Sequence, residues 1–244
     1  MNDDTVALVT GGSRGIGAAT ALRLAADGFD VALTYVNGDG AAAEVAGQVE
    51  ALGRRALAVR ADAGSADGSR TAVEETVRVL GRLDVLVNNA GAGVLGPIGT
   101  LAAADVDRVL AVNVRGAFLA AQAAAQHMGP GGRIVTVGSC MVQRVPGPGG
   151  TLYAMSKAAM TGLTKALARE LGARGITANL VHPGPTDTDM NPADGPYADA
   201  QRSLTALGRY GTPQEVAALV SFLAGPDAAY VTGAEFSVDG GHAA

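Results

Sequence analysis

The sequence predicts an α/β fold, a doubly wound parallel sheet with helices on both faces, and three observations carry that reading. Short Val/Ile/Leu-rich runs alternate with longer alanine-rich segments, as a sheet buried on both faces requires. With 244 residues, 48% hydrophobic and 17% charged, the chain suits one large domain over 1–244 and is cramped for two. It can bury a substantial core and lacks the composition of a disordered chain. A glycine-rich turn follows the first apolar run directly and opens a helical pattern.

Seven strands are expected, at 5–10, 30–35, 56–60, 83–87, 132–137, 176–181 and 234–238. Between the first two, Ile16, Ala19, Leu22 and Leu24 suit a helix over 16–27 that ends before Gly28, a residue free to adopt the left-handed C-terminal turn. Further helices are expected near 40–52, 68–80, 102–128 in one or two pieces, 152–172 and 213–224. The last opens on Thr212-Pro213-Gln214-Glu215, a capping box with proline at the first helical position. Pro183 to Gly211 breaks the alternation: with Pro183, Pro185, Pro192 and Pro196 it cannot be a continuous helix or central strand. A segment of that length without regular structure reads as a binding loop, about 185–211.

Eighteen Lys and Arg against 23 Asp and Glu give a net charge of −5, so there is no basic footprint for nucleic acid and no polybasic membrane anchor. The start, Met1-Asn2-Asp3-Asp4, lacks the cationic and apolar regions of a signal peptide, and no apolar run approaches the ~18 residues of a membrane span. A soluble, cytoplasmic protein is expected. The single cysteine, Cys140, can form no internal disulfide and has no thiolate partner for a metal. His127, His182 and His242 form no ligand cluster, so no metal is expected; His182 reads as structural.

In Thr10-Gly11-Gly12-Ser13-Arg14-Gly15-Ile16-Gly17 the glycines permit a tight turn and let a pyrophosphate approach the N-terminus of the next helix, where unpaired N–H groups favour an anion. Gly11, Ser13, Arg14, Gly15, Ile16 and Gly17 are therefore candidate cofactor contacts.

The turn's spacing, T-G-x-x-x-G-x-G, resembles the fingerprint of the short-chain dehydrogenase/reductase family. The same family's Asn88-Asn89-Ala90-Gly91, Asn113, Ser139, Tyr153-x-x-x-Lys157 and Pro183-Gly184 with Thr188 follow in order, so the resemblance spans nearly the whole chain. Val231-Thr232-Gly233 and Asp239-Gly240-Gly241 are similar to the branch of carbonyl reductases related to 3-oxoacyl-acyl-carrier-protein reductase. The resemblance implies a single Rossmann-type domain, a nicotinamide cofactor and a homotetramer built through the 102–128 and 152–172 helices and the C-terminal strand. It also implies that Asp62 and Ala63 border the adenine and that Asn89, with Ala90 and Gly91, lies along the cofactor. The Pro183-Gly184 to Thr188 segment would then hold the carboxamide, with Thr186 and Thr188 as candidates.

NAD-preferring proteins of this fold commonly carry Asp or Glu at the end of the second strand. Here Thr34-Tyr35-Val36-Asn37 offers no carboxylate before Asp39, so Tyr35 and Asn37 are candidate contacts. Arg14 can reach a 2′-phosphate with its guanidinium fork. NADPH/NADP+ is expected, with NADH disfavoured.

Tyr153 and Lys157, four residues apart on a helix, share one face. A nearby ammonium, reinforced by oxidised nicotinamide, would lower a tyrosine pKa from near 10 and equip Tyr153 as general acid toward a substrate carbonyl. Ser139 can hydrogen-bond the same oxygen as charge develops on it. By resemblance, Asn113 holds a relay water and Lys157 also binds the cofactor ribose. Taken singly, each residue has a structural alternative: Ser139 a strand-end cap, Asn113 a helix break, Tyr153 packing. Ser139 precedes Tyr153 by 14 positions, one more than in many family members, and Pro146-Gly147-Pro148-Gly149-Gly150 absorbs the extra residue.

The first expectation is thus an NADPH-dependent enzyme acting on a small-molecule carbonyl, a ketone or 3-oxoacyl group. The alternative is a nucleotide-binding regulatory protein without turnover, since the loop from Gly184 to Pro196 looks similar to a branch linked to cyclic dinucleotides. Of two basic positions that resembling reductases use to hold an acidic carrier protein, Arg174 matches one and Pro130 occupies the other, which favours free substrates. Arg174 is equally readable as a cation serving a helix C-terminus.

Overall fold

The computed structural model describes residues 5–244; the acidic start Met1–Asp4, on which the absence of a leader was read, lies outside the described residues. The strands are β1 (Val6–Val9), β2 (Asp30–Tyr35), β3 (Ala56–Arg60), β4 (Val85–Asn88), β5 (Arg133–Val137), β6 (Thr177–Pro183) and β7 (Glu235–Val238). They form one sheet in the order β3-β2-β1-β4-β5-β6-β7, with every neighbouring pair parallel. The expected strands all form, with ends moved by one or two residues.

Alternation sorts their side chains into two cores. Ala7, Val9, Val31, Leu33, Val85, Val87, Val135 and Val181 face α1 (Gly15–Ala26), α2 (Asp39–Ala51) and α8 (Pro213–Ala224). Val6, Leu8, Ala32, Leu86, Ile134 and Ala178 face α3 (Gly68–Leu80), α5 (Ala117–His127) and the far end of α6 (Thr151–Leu171). Each inner strand is covered on both faces, which is why it reads as an unbroken apolar run. The Thr212 hydroxyl accepts from the Glu215 N–H and the Glu215 carboxylate accepts from the Thr212 N–H, closing the expected capping box of α8.

Two segments differ from the sequence reading. Residues 102–128 form three consecutive pieces: α4 (Ala103–Leu110), a π-helical turn over Ala111–Gly116, and α5. A wide turn of this kind leaves no mark in apolar periodicity. The proline-rich segment is not wholly irregular, because β6 runs on through Pro183 and α7 (Ala198–Ser203) forms after Pro196. Pro183 fits the end of β6, where its neighbour β7 stops at Val238. The order of the strands reverses between β1 and β4, so the loops at their C-terminal ends diverge to opposite sides and open a crevice there, the usual ligand position in this architecture.

Candidate active site

The glycine turn is held from both neighbouring strands. Gly11 N–H donates to Thr34 Oγ1 at 2.9 Å and Gly12 N–H to the Thr34 carbonyl at 2.9 Å, which ties the turn to β2. Asn89 donates from its side-chain amide to the carbonyls of Thr10 (2.9 Å) and Gly11 (3.0 Å), while Thr10 Oγ1 accepts from the N–H groups of Asn89 and Ala90. Asn89 is therefore a staple between β1 and β4, and its side-chain donors are used on the protein. Gly17 is compelled by close packing: a Cβ there would lie 2.1 Å from the Gly11 carbonyl oxygen. Gly11 and Gly15, at φ +64° and +53°, take the left-handed conformation. Arg14 caps α1 without a side-chain hydrogen bond, and the first turn holds no acidic residue. Its orphan N–H groups thus have no competing anion from α1 itself, which suits a pyrophosphate.

Around this turn lie the groups expected to select the adenosine. Tyr35 ends β2 half-buried, and Asn37 is exposed just beyond it. Arg14 is three-quarters exposed, its nearest carboxylate being Asp189 in the 185–211 loop at 3.9 Å. Asp62 organises its own loop, accepting from Gly64 N–H at 2.8 Å, and its carbonyl accepts from Ser65. Ala63 packs under the π turn, where a Cβ on Gly116 would stand 2.4 Å from the Ala63 carbonyl oxygen.

Asn113 sits inside the π turn. Its Oδ1 accepts from Ala92 N–H at 2.8 Å, and its Nδ2 donates to the Ala92 carbonyl and to Ser156 Oγ, both at 2.9 Å. Ser156 in turn donates to the Tyr153 carbonyl at 2.8 Å, so Asn113 locks α6 against the loop that follows β4. Sequence reasoning missed Ser156, which carries no motif of its own.

Ser139 stands just past β5, capping a short turn by accepting from Met141 N–H at 3.2 Å. Its hydroxyl lies close enough to Tyr153 to favour the ionised phenol. Tyr153 and Lys157 lie on one face of α6, with Lys157 Nζ 5.9 Å from the Tyr153 ring centre. Nζ donates to the Val137 carbonyl at 2.9 Å, and burial brings the ammonium down from 10.5 to about 8. The Tyr153 phenol is raised, chiefly by burial, with the Ser139 hydroxyl pulling the other way. The lowering expected from Lys157 reinforced by oxidised nicotinamide does not arise from the protein groups by themselves: one Nζ donor is engaged by Val137, and burial weakens the ammonium as a cation. Gly91 gives Nζ room, since a Cβ there would approach it to 3.4 Å.

The 185–211 loop begins where Gly184 passes over Asp239, with no room for a side chain. Thr186 is buried and donates to the Gly184 carbonyl at 3.0 Å, and Thr188 lies against Gly15, where a Cβ would meet its methyl group at 3.2 Å. The loop's base is closed by Gly211 N–H donating to Pro185 O (2.9 Å) and Asp187 N–H donating to Gly211 O (3.0 Å). Met190, largely exposed, comes near Gly93, which also faces the Tyr153 ring. Cys140 is buried, its thiol pushed up to about 11 by burial with a smaller contribution from Asp239. Arg174 donates to the carbonyls of Ala125 (2.6 Å) and Met128 (2.8 Å) at the end of α5, so its guanidinium serves a helix C-terminus. Among the described residues no group of three His, Cys, Asp or Glu could hold a metal ion, and no helix is long and apolar enough to cross a membrane.

Residues 11–243 match the family model described as Enoyl-(Acyl carrier protein) reductase. The chain is 47% identical over 233 residues to a cyclic-di-GMP-binding biofilm dispersal mediator protein of Escherichia coli (strain K12), covering 96% of this chain and 94% of that one. It is 41% identical over 239 residues to a 3-oxoacyl-[acyl-carrier-protein] reductase of Synechocystis sp., covering 97% and 96%. The crystal structure of a short-chain dehydrogenase from Burkholderia cenocepacia J2315 in complex with NADP superposes with a TM-score of 0.98 at 55% identity, covering 99% of this chain and 98% of that chain.

Proposed function

The chain belongs to the short-chain dehydrogenase/reductase family, and from that premise we propose that it is an NADPH-dependent reductase converting a ketone or small 3-oxoacyl compound to the alcohol. The observation that carries the reading is the convergence of Ser139 and Tyr153, with the buried Lys157 one helical turn on. A protein that only bound nucleotide would have no physical use for a half-buried phenol beside a buried hydroxyl and a buried ammonium.

NADPH, when bound, supplies the hydride. The α1 N-terminus with Ser13, Gly15, Ile16 and Gly17 would hold its pyrophosphate, Arg14 its 2′-phosphate beside Tyr35 and Asn37, and Thr186 and Thr188 its carboxamide. Ser139 Oγ donates to the substrate oxygen and orients it. Tyr153 gives that oxygen its proton. With its two remaining N–H donors Lys157 would reach the ribose of bound NADPH and stabilise the tyrosinate left behind, which replaces part of the hydration both lost on burial. Asn113 fixes the backbone around the proton's return path.

Free substrates suit the site better than carrier-borne ones, because Arg174 is engaged at the end of α5 and Pro130 offers no second cation. The likeness to a cyclic-di-GMP-binding protein supports a second reading, binding of a cyclic dinucleotide. Around the 185–211 loop, however, Arg202 and Arg209 are paired with Asp199 and Glu215, so two of the cations that an anionic dinucleotide could use are already partnered. A homotetramer fits the apolar groove along α4 and α5, lined by Leu110, Val114 and the half-exposed Phe118; sedimentation at micromolar concentration tests it. A single cysteine without a disulfide partner and a need for NADPH suit the cytoplasm.

The test is a ketone panel followed by NADPH absorbance, with Tyr153→Phe as control. The variant is expected to bind NADPH normally while turnover falls by about 10²-fold or more. Retained turnover would overturn the assignment. Tight cyclic-di-GMP binding without any ketone turnover would replace it with the second reading.

A further inference from the structure

Behind the catalytic shelf a second hydrogen-bonded chain runs from Ser139 back to α6. Ser139 N–H donates to His182 Nδ1 at 3.2 Å, and His182 is fully buried near the end of β6. An amide N–H can only donate, so Nδ1 must accept and the ring proton resides on Nε2. That Nε2 stands 3.0 Å from Glu235 Oε2 on β7 and donates to it. Glu235 receives two further donors from α6, Thr161 Oγ1 at 2.8 Å and Lys165 Nζ at 2.9 Å. Tyr153, Lys157, Thr161 and Lys165 recur every fourth residue, so the stripe that carries the catalytic pair continues down the helix to the partners of Glu235. Gly138 makes room for the imidazole: a Cβ at that position would lie 2.6 Å from His182 Nδ1.

We propose that His182 is a positioning residue for catalysis, a neutral imidazole held in one tautomer by Glu235 so that its Nδ1 fixes the Ser139 backbone relative to the helix bearing Tyr153. The chain Ser139–His182–Glu235–Thr161/Lys165 spans β5, β6, β7 and α6, and joins the two elements whose side chains must meet at one substrate oxygen. Apart from that meeting, Ser139 is held locally by its own short turn, which sets its orientation to Met141 but not to α6. Glu235, with its carboxyl lowered to about 2 by the hydrogen bonds of His182, Lys165 and Thr161 against the cost of burial, remains an acceptor at any working pH.

The meaning of Ser139 here rests on the reductase reading, but the bond to His182 can be read without turnover. Two substitutions split the imidazole. In His182→Asn the amide oxygen falls where Nδ1 was and keeps the acceptor for Ser139; in His182→Gln the amide reaches Glu235 and leaves Ser139 N–H without it. The expected result is a loss in kcat of about threefold for His182→Asn, which keeps the Ser139 acceptor but gives up the tie to Glu235, and of about tenfold or more for His182→Gln, the scale of a small misplacement of a reacting group. The NADPH dissociation constant should be unchanged in both. Hydrogen exchange at the Ser139 amide should stay slow in the Asn variant and quicken in the Gln variant. Selective ¹⁵N labelling of histidine in the unmodified protein should show the Nε2–H tautomer, a measurement that needs no variant to fold. A protonated Nδ1, equal exchange in the two variants, or equal kcat with ketone turnover intact would overturn the inference. Absence of ketone turnover in the parent, with the tautomer and exchange pattern as described, would instead remove the reductase reading and with it the catalytic purpose assigned to the bond.

Discussion

Replacing Lys157 by methionine should abolish turnover and, at neutral pH, remove a stability cost. The ammonium is buried with a single carbonyl partner, and burial takes its pKa from 10.5 to about 8. Between those values the unfolded chain holds the proton and the folded protein does not, so stability rises with pH across the window from about 8 to 10.5. The cost is fully present below it. At about 1.36 kcal/mol per pH unit the charged lysine costs the fold about 3 kcal/mol at pH 7, shrinking to about 1.4 kcal/mol at pH 9.5. Methionine has similar volume and no charge, but leaves the Val137 carbonyl without its donor, at about 1–3 kcal/mol. That loss does not vary with pH. The stability of Lys157→Met relative to the parent should therefore fall by about 2 kcal/mol between pH 7 and 9.5, whatever its absolute value. Urea unfolding of both proteins without cofactor, at the two pH values, measures this directly, and other titrating groups cancel in the difference. A difference constant within about 0.5 kcal/mol would refute the claim that Lys157 is held as a costly cation.

Three further outcomes are expected. Arg14→Ala should remove most of the preference for NADPH over NADH, lowering kcat/KM with NADPH by roughly tenfold or more; equal use of both cofactors by the unmodified protein would contradict the role given to Arg14. Gly17→Ala places a Cβ 2.1 Å from the Gly11 carbonyl and 2.5 Å from Asn89 Nδ2, so it should weaken NADPH binding and cost about 1–3 kcal/mol in thermal denaturation. Cys140, with its thiol at about 11, should resist iodoacetamide at pH 7.5 in the folded protein and react once urea unfolds it; rapid labelling of the native state would show that the thiol is accessible.

The sheet was legible because buried parallel strands leave continuous apolar runs, and the capping box of α8 because two side chains and a proline write it locally. Four-residue spacing put Tyr153 and Lys157 on one face before any coordinates. What escaped was set by partners far away in sequence. The π turn around Asn113 depends on its clasp with Ala92, and no periodicity records it. The direction of the Tyr153 shift turns on burial, and the engagement of Lys157 by Val137 is a contact between α6 and β5. The partners of Arg174, the carbonyls of Ala125 and Met128, lie far from it in sequence. His182 looked structural by itself, and only its two hydrogen bonds reveal which structure it holds.

Because Pro185 and Asp187 pair with Gly211, the segment between them leaves and rejoins the sheet through one doorway. Its interior is cross-braced on its own account: Asn191 and Gln201 exchange amide hydrogen bonds at 2.9 and 3.0 Å, Arg202 donates to the Ala193 carbonyl, and the same guanidinium lies over the Tyr210 ring. Such a segment behaves as a cassette. Each doubling of its length adds only about 0.6 kcal/mol of closure entropy, and neither β6 nor α8 need change register to receive a longer or shorter one. Diversity in what the crevice admits can therefore accumulate here, while the machinery beneath Tyr153 is inherited intact.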